Sequence, residues 1–462
     1  MEITPVGIAV LVTVATVTLL RPAALPFLFA FLAPFSGVAV ANVTSAGLDY
    51  ARHVQPWLPV SVAMILRVGF EATLSGRVRV PLQGRGVATA LLFWAGAVAG
   101  SAIGAGSARG LTFNDVDPAC GCALLVERDG GWSVRTFTQA AYVVLGALGT
   151  VAGAKYLGSA SVASILRIYV VGTLTMAALA LVQATLSMVG VRFPVWLISN
   201  SGNPFAQGWM QETDIAGFRR ISVGAAEPSL FAQGLGIALG IALTGPGAAG
   251  MKQPWLTAAV TLLILALLVS TATTAYVILA LVGFGWVCRG LLARAMSRGL
   301  VAAVGLALAV ATTGLGLAPT GRELVIHIVR AYLVEKPTSA SWGDRLLSVQ
   351  MGVEAWLQRP LIGWGPGALT ARSLPVWLLA NTGVFGFLAF TLVVGALIAW
   401  AISRKRVRSL AAREEARGVI WAVTVLLITD GLTGASFPFG FFWVPWLAAQ
   451  AGSHSLSRMD RV

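Results

Sequence analysis

The residues best suited to chemistry lie in polar segments between long apolar runs. The longest such segment extends from Arg322 to Arg372, and it contains Arg345, then Trp356, then Pro360-Leu-Ile-Gly-Trp-Gly-Pro-Gly367. Guanidinium groups form bidentate hydrogen bonds with oxyanions, and in a water-poor site they stabilise negative charge as it develops. Arg345 and Arg372 therefore predict a site that handles an anionic group.

A second polar patch lies upstream and supplies further candidates. It reads Phe218-Arg-Arg-Ile-Ser-Val-Gly224 and then Glu227-Pro-Ser-Leu-Phe-Ala232. Arg219 and Arg220 add cations, and Glu227, at the mouth of an apolar run, is the best candidate for a base. Each has a simpler alternative. The arginines can bind lipid headgroups or carbonyl groups, and a Glu-Pro pair commonly begins a helix.

The elements that must position these residues are predicted to be membrane-spanning helices. Hydrophobic residues make up 57% of the chain, charged residues 11%, and the mean hydropathy is +0.82. Such values are typical of polytopic membrane proteins and exclude a soluble protein of this length. We expect an all-α protein with about 12–13 transmembrane helices. The predicted spans are 4–20, 24–42, 57–76, 87–104, 136–154, 168–190, 229–246, 255–270, 273–288, 299–318, 376–400, 418–434 and 437–452.

The distribution of Lys and Arg predicts the orientation. The strongest basic cluster, Ser403-Arg-Lys-Arg-Val-Arg408, is assigned to the cytoplasm. On that assignment the inner segments hold 18 of the 32 Lys and Arg residues and three of the 18 acidic residues. The prediction is a bacterial cytoplasmic (inner) membrane protein with its N-terminus outside and its C-terminus in the cytoplasm. Because topology accounts for the net charge of +14, nucleic acid need not be invoked as a partner.

The chain is predicted to have four parts: an N-terminal bundle (1–190), an outer loop with central helices (191–318), an outer helical loop (319–375) and C-terminal helices (376–462). Within the third part, 323–335 has helical periodicity. A second helix is predicted to start at Ser341-Trp-Gly-Asp344, where Asp344 would cap it, and to end at Pro360. Its apolar stripe is Leu346, Val349, Val353 and Trp356. Two amphipathic helices here predict a lid on the membrane surface.

Other polar residues give weaker signals. Arg67 and Glu71 lie at i,i+4 inside a span, where charges face each other or a cavity; self-pairing is the favoured interpretation and a carrier or proton role the alternative. Asp430, near the outer end of its span, is expected to face the same cavity. Cys120 and Cys122 have no neighbouring histidine, and no metal site is predicted. His327 is expected to pair structurally with Glu323. Trp356, Trp364 and Trp377 are expected to anchor at the interface, although Trp364 also suits a sugar platform.

Taken in order, the motifs resemble the O-antigen ligase/polymerase family of polytopic membrane glycosyltransferases. The resemblance rests on Arg345 with its following helix, on the Pro360–Gly367 turn, on Asn381-Thr-Gly-Val-Phe-Gly386 and on the upstream arginine and Glu-Pro-Ser stretches. Ser270-Thr-Ala-Thr-Thr-Ala-Tyr276 is similar to a further family segment. Together these stretches cover about 218–400.

The resemblance implies a GT-C-like, metal-independent enzyme without a cofactor, whose site faces outside. The donor would be a polyprenyl-diphosphate-linked saccharide on the outer leaflet, and the acceptor a glycan or a lipid. Arg345 and Arg372 would be catalytic together with Glu227, whereas Arg219, Arg220 and Trp364 would bind the diphosphate or the substrate. Membrane lipids would be the other partners.

The sequence departs from the ligase pattern at two places. Ligases usually have a histidine eleven residues before the first Gly of Gly-x-x-Gly, and Arg372 stands there in this chain. Arg372-x10-Gly383 is more similar to the pattern of polymerases, so a polysaccharide polymerase is favoured over a ligase. In the segment Ser270–Tyr276, Ala272-Thr273 stands where the family usually has Ser-Arg, so this chain has one cation fewer there.

Two other classes of function are compatible with a basic, membrane-embedded site. A flippase or transporter of lipid-linked saccharide should show paired repeats and broken spans at corresponding positions, and no such symmetry is evident. In a non-catalytic scaffold of envelope assembly the outer arginines would be dispensable.

Overall fold

The computed structural model describes residues 2–43, 52–75, 85–116, 125–157, 162–191, 193, 214–215, 218–219, 221, 223, 225, 227–244, 253–270, 272–293, 340–406 and 409–451. Several sequence predictions lie outside these residues. They are the span 299–318, the helix 323–335, Arg220, His327 and the Cys120–Cys122 pair.

Helices dominate the described part of the chain. Six of them are long and apolar enough to cross a membrane, and shorter apolar helices accompany them. The six are Trp57–Ser75, Gly86–Ala108, Val134–Leu157, Val162–Ser187, Leu374–Arg404 and Leu410–Thr433. The predicted class, a helical membrane protein, is confirmed. The helices are α1 (Pro5–Leu20), α2 (Leu25–Leu32), α3 (Trp57–Ser75), α4 (Arg85–Gly104), α5 (Val134–Leu157), α6 (Val162–Met188), α7 (Pro228–Thr244), α8 (Gln253–Val269), α9 (Thr273–Ala293), α10 (Ala340–Gln358), α11 (Leu374–Arg406), α12 (Leu410–Thr433) and α13 (Gly440–Ala451).

The core of the bundle surrounds α13, all of whose residues are buried. This helix is hydrophobic on every side, and such a helix has no face that water would favour. It packs against α5 and α6, and α7 is almost as fully buried between α12, α9 and α8. On α5, Gly146 allows the close approach, because a Cβ there would lie 2.1 Å from the Trp443 ring. Small residues of this kind let membrane helices pack closely.

Short antiparallel strands lie between the helices. One three-stranded sheet has the order β1 (Glu2–Ile3), β2 (Ala41–Val43), β3 (Arg52–Val54). Two hairpins are formed by β4 (Thr112–Val116) with β5 (Leu125–Asp129) and by β6 (Asp214–Ile215) with β7 (Phe218–Arg219). In the larger hairpin Thr112 pairs with Asp129 and Val116 with Leu125. Two 3₁₀ helices, η1 (Pro22–Ala24) and η2 (Ala105–Ala108), complete the described elements.

The predicted span 24–42 is wrong in its second half. The α-helix stops at Leu32, and the chain then turns and enters β2. The Val40 backbone N–H donates to the Val54 carbonyl at 2.8 Å, and the Thr4 N–H donates to the Val40 carbonyl at 3.1 Å. These bonds satisfy the backbone that a longer helix would otherwise have satisfied internally. The short break predicted between the spans 255–270 and 273–288 is present, because α8 ends at Val269 and α9 starts at Thr273.

A buried ion pair joins α11 to α12 at the end of the bundle that carries the basic cluster. Arg404 Nη2 lies 3.5 Å from Glu415 Oε2, and their side chains are only 4% and 11% exposed. Glu415 Oε1 also accepts a hydrogen bond from the Ala163 N–H at 3.3 Å, which links the start of α6 to the pair. One carboxylate thus holds three helices together.

We predict that Glu415→Ala lowers the free energy of unfolding by about 3 kcal/mol, because it leaves a buried guanidinium without its carboxylate. Thermal unfolding of the detergent-solubilised protein measures the effect. Glu414→Ala removes the same charge one residue away and should leave the melting temperature unchanged. Equal melting temperatures for the two variants would contradict the role assigned to Glu415.

Candidate functional site

Helix α10 carries Asp344, Arg345 and Ser348, and it packs on α11 and on β4. Asp344 and Ser348 on this helix are buried, whereas Leu346 and Leu357 are 56% and 65% exposed. The predicted helix is therefore confirmed, and it begins at Ala340, one residue before the expected start. Leu346 and Val353 of the predicted apolar stripe are exposed, and its Val349 and Trp356 are half-buried. The inward face of α10 carries Met351 and Ala355 beside Asp344 and Ser348.

Arg345 connects α10 to the end of α12. Its Nη1 donates to the Leu432 carbonyl oxygen at 2.9 Å. The last carbonyl groups of a helix lack partners within the helix and carry partial negative charge, so a guanidinium is favoured there. This contact fixes the position of Arg345 while its charge is retained.

Arg372 lies in the loop between α10 and α11 and also contacts α10. Its Nη2 is 3.0 Å from Asp344 Oδ2, in an ion pair whose arginine side chain is 30% exposed and whose aspartate is 7% exposed. Asp344 was predicted to cap the helix, and the structure corrects this: the carboxylate binds Arg372 instead, because α10 has already started at Ala340.

Ser348 joins the two arginines. Its hydroxyl accepts a hydrogen bond from the main-chain N–H of Arg372 at 3.3 Å and donates one to the main-chain carbonyl of Arg345 at 2.9 Å. The structure thus brings together two predicted catalytic residues that are 27 positions apart in the sequence. Sequence reasoning missed Ser348, and the only available signal was its position one turn after Arg345.

A buried polar group supports the end of α12 on which Arg345 depends. Asp430 accepts hydrogen bonds from Gln233 Nε2 at 2.6 Å and from the Ser436 hydroxyl at 2.7 Å, and all three residues are fully buried. Gln233 is on α7, so the group joins α7 to α12. Asp430 was expected to face a cavity, whereas it holds the turn that follows α12. The Ser436 N–H adds a bond of 3.3 Å to the same carboxylate.

The glycine-rich turn is held by a break in α11. At Gly383 the backbone has φ 66° and ψ −172°, which interrupts the helix. The freed carbonyl groups of Ala380 and Asn381 accept from the N–H groups of Trp364 and Gly365, at 3.0 and 2.9 Å. We call this arrangement the backbone lock.

The other side of the break is satisfied in the same way. The N–H groups of Val384 and Phe385 donate to the carbonyl groups of Pro360 and Leu361, at 2.8 and 3.3 Å. The Ser101 hydroxyl on α4 also reaches the lock, with its Oγ 2.7 Å from the Ile362 oxygen. The lock thus fixes the Pro360–Gly367 turn against both α11 and α4.

Side-chain hydrogen bonds connect the backbone lock to the residues just before Arg372. Asn381 accepts from the Leu369 N–H at 2.9 Å and donates to the Trp377 carbonyl at 3.0 Å. Asp115 on β4, only 2% exposed, accepts from the Thr370 N–H at 3.1 Å and pairs with Arg128 Nε at 3.0 Å. The residues immediately before Arg372 are therefore fixed on both sides.

Trp364 lies in a buried cluster and is 1% exposed. Its Nε1 donates to the Ala355 carbonyl at 2.7 Å, and its ring centroid is 4.6 Å from that of Phe113. The Arg359 guanidinium lies 5.6 Å from the ring centroid, and burial lowers the pKa of Arg359 from its ordinary value. In this conformation Trp364 supports the turn and offers no open ring face to a sugar.

The upstream candidates are only partly described. Glu227 precedes α7, where its carboxylate accepts from the Ser229 hydroxyl at 3.1 Å and its carbonyl accepts the first helical bond from the Phe231 N–H at 2.9 Å. These contacts are those of a residue that begins a helix, which was the alternative given for the Glu-Pro pair. Within the described residues Glu227 forms no hydrogen bond or ion pair with Arg345 or Arg372. The backbone of Arg219 lies in β7.

The charges inside α3 pair with each other, as the favoured interpretation predicted. Arg67 Nε lies 2.9 Å from Glu71 Oε1, and Lys155 Nζ on α5 lies 2.6 Å from Glu71 Oε2. The Tyr156 hydroxyl adds a contact of 3.3 Å to the same carboxylate. This group therefore joins α3 to α5. In the part of the chain that the structure describes, no cluster of His, Cys, Asp or Glu has the composition of a metal site.

Comparison with known proteins gives no family assignment. No family model matches the chain, and a search of the curated proteins finds no match either. What the fold and the site define is a helical membrane protein with two arginines held together at one end of its bundle.

We predict that Gly383→Ala destroys the backbone lock. The new Cβ would lie 2.2 Å from the Leu361 oxygen, at a positive φ that side chains disfavour, so the free energy of unfolding should fall by about 3 kcal/mol or more. Gly395→Ala, on the same helix with open space around it, is the matched control. Thermal unfolding in detergent compares the two, and a Gly383 variant as stable as the control would contradict the lock.

Proposed function

We propose that this chain is a membrane glycosyltransferase that polymerises cell-surface polysaccharide repeat units from a polyprenyl-diphosphate-linked donor on the outer leaflet. The observation that carries the proposal is that the Ser348 hydroxyl on α10 bonds to the main chain of both Arg345 and Arg372, which makes the two residues neighbours. The motifs that resemble the O-antigen ligase/polymerase family contain both arginines. The structure adds that they are neighbours in space.

The proposed chemistry is transfer of a glycosyl group from a diphosphate. Breaking the bond between sugar and phosphate leaves negative charge on the departing diphosphate, and fixed guanidinium groups stabilise that charge as it forms. Among the contacts described above, Arg372 pairs with the Asp344 carboxylate and Arg345 donates to the Leu432 carbonyl oxygen, so both guanidinium groups lie in defined positions. In the proposed mechanism these arginines take the place that a divalent cation has in other transferases.

The neighbouring contacts suit such a role because they are fixed before a substrate arrives. Arg345 is fixed by a carbonyl group, and Arg372 by the backbone lock through Asn381 and Leu369. Donors that need no reorganisation stabilise a transition state best. On substrate binding, a diphosphate would compete with Asp344 for Arg372.

The acceptor hydroxyl needs a base, and Glu227 is the proposed residue on the strength of the Glu-Pro-Ser resemblance. Its present contact with Ser229 leaves the second carboxylate oxygen, Oε1, to accept a proton. Arg219 and Arg220 stay in the proposal as diphosphate ligands on the same basis. The proposed location is a bacterial cytoplasmic membrane with the site outside.

We predict that Arg345→Ala and Arg372→Ala each reduce transfer from a lipid-linked saccharide by about a hundredfold, because each removes a donor that stabilises the leaving diphosphate. The measurement is glycan elongation by the purified protein without other proteins. Arg417→Ala removes an exposed cation from α12 on the far side of the bundle and serves as the control.

Full activity of the Arg345 variant would remove the catalytic assignment and favour a transporter or a scaffold. A gene deletion distinguishes the two enzymes. Loss of long chains, with single repeats still attached, indicates a polymerase. Accumulation of long carrier-linked chains, with no attached glycan, indicates a ligase.

A further inference from the structure

A cluster of charged side chains lies at the end of the bundle opposite Arg345. Lys155 is two residues from the end of α5, and α6 begins five residues after α5 has ended. The start of α6 is bonded through the Ala163 N–H to Glu415, which is near the start of α12. Arg345 instead contacts the Leu432 carbonyl at the other end of α12. Most of the length of a membrane-spanning helix therefore separates the two groups.

One carboxylate in this cluster is shared by two cations. Glu71 Oε1 lies 2.9 Å from Arg67 Nε, and Glu71 Oε2 lies 2.6 Å from Lys155 Nζ. The Tyr156 hydroxyl lies 3.3 Å from Oε1 of the same carboxylate. In the described part of the chain neither cation has a further acidic partner. Two positive charges and one negative charge thus leave the cluster with a net charge of +1.

The two cations are accessible from outside the protein. The side chains of Arg67 and Lys155 are 30% and 23% exposed. Arg67 bonds to Glu71 through Nε, and neither of its terminal nitrogens is a buried atom without a partner. Its N–H groups that Glu71 leaves unused are therefore at the surface. A guanidinium that presents its terminal nitrogens in this way can donate to two oxygens of one phosphate group.

The surface next to these cations is apolar. Leu66, Phe70 and Leu74 are 67%, 56% and 73% exposed, and their i,i+4 spacing places them in one stripe along α3. The stripe borders the charged cluster, because Arg67 Cζ lies 5.9 Å from the Phe70 ring centroid. Since α3 is long and apolar enough to cross a membrane, we expect this stripe to contact acyl chains.

A phosphate group at the boundary between headgroups and acyl chains fits both parts of this surface. Long cationic side chains near the ends of membrane helices reach toward the headgroup layer, and basic pockets between such helices bind acidic headgroups. The net charge of the cluster is opposite to that of a phosphodiester headgroup without an amine. A zwitterionic headgroup has the same phosphate but would bring an ammonium group close to Arg67 and Lys155. The charge therefore favours an acidic lipid.

We propose that Arg67 and Lys155 bind the headgroup phosphate of an anionic phospholipid whose acyl chains lie along Leu66 and Phe70. In the predicted orientation this lipid belongs to the cytoplasmic leaflet. The ligand is a lipid and not free phosphate, because free phosphate would leave the apolar stripe uncovered. The bound lipid connects α3 to α5, in addition to the contacts of Glu71. This site does not depend on the chemistry proposed for the other end of the bundle.

The test is native mass spectrometry of the full-length protein in detergent, titrated with phosphatidylglycerol or with phosphatidylcholine. We expect the wild type to bind one phosphatidylglycerol with an affinity at least about tenfold higher than that for phosphatidylcholine. Arg67→Gln and Lys155→Gln should each weaken phosphatidylglycerol binding by about tenfold, because each removes a charged donor to the phosphate. Lys155→Gln keeps the pair of Arg67 with Glu71, so this variant remains informative if Arg67→Gln does not fold.

Arg417→Gln is the matched control, since it removes an exposed cation from α12 and leaves the cluster intact. Its affinity for phosphatidylglycerol should equal that of the wild type. Thermal unfolding provides a second measurement, because a ligand that binds only the folded protein stabilises it. Phosphatidylglycerol should raise the melting temperature of the wild type more than that of either cluster variant.

Four results would overturn the inference. Equal affinity for the two lipids would mean that the net charge does not select the ligand. Unchanged phosphatidylglycerol binding in both Arg67→Gln and Lys155→Gln would place the lipid elsewhere. An equal loss in Arg417→Gln would mean that the lipid responds to the total charge of the protein. Displacement by inorganic phosphate at the concentration of the lipid would show that the acyl chains contribute nothing.

Discussion

The site depends on a break in one transmembrane helix. At Gly383 the backbone of α11 leaves the helical conformation, and its unpaired groups bond to the Pro360–Gly367 turn instead of to each other. A helix broken in an apolar environment must find partners for its backbone, because each unsatisfied group costs several kcal/mol. The turn supplies all four partners, so the break and the turn stabilise each other.

The backbone lock fixes two neighbouring parts of the structure, the loop before Arg372 and the contact with α4. Through Asn381 and Leu369 it determines where the loop before Arg372 runs. Through Ser101 it attaches the turn to α4, next to η2 and Arg359. Arg345 is positioned differently, by the end of α12 and the buried Asp430 group beneath it. Arg345 and Arg359 thus each donate to a main-chain carbonyl group at the end of a helix, Leu432 on α12 and Gly104 on α4.

Much of this arrangement can be predicted from sequence, and the reasons for the failures are physical. Runs of apolar residues gave most helices to within a few residues, because the membrane demands length and hydrophobicity together. The end of α2 was missed, since Val40 pairs with Val54, a partner that hydropathy cannot indicate. Pairing of Arg67 with Glu71 follows from local spacing, whereas that of Arg372 with Asp344 depends on a loop path that only the fold determines. Asp430 was expected to face a cavity, whereas it is buried and bonds to Gln233 on another helix, a partner that sequence spacing cannot indicate.

The lock has a consequence for how such a protein changes over evolutionary time. Its hydrogen bonds join main-chain atoms, and the side chains of Leu361 and Phe385 project outward from it, so their identity is free to drift. What cannot drift is the absence of a Cβ at Gly363 and Gly383, where one would collide with the opposing main chain. Two chains with the same lock can therefore diverge at nearly every side chain and still share a spacing of glycines. Methods that weigh whole sequences lose such a relationship long before the architecture itself is lost.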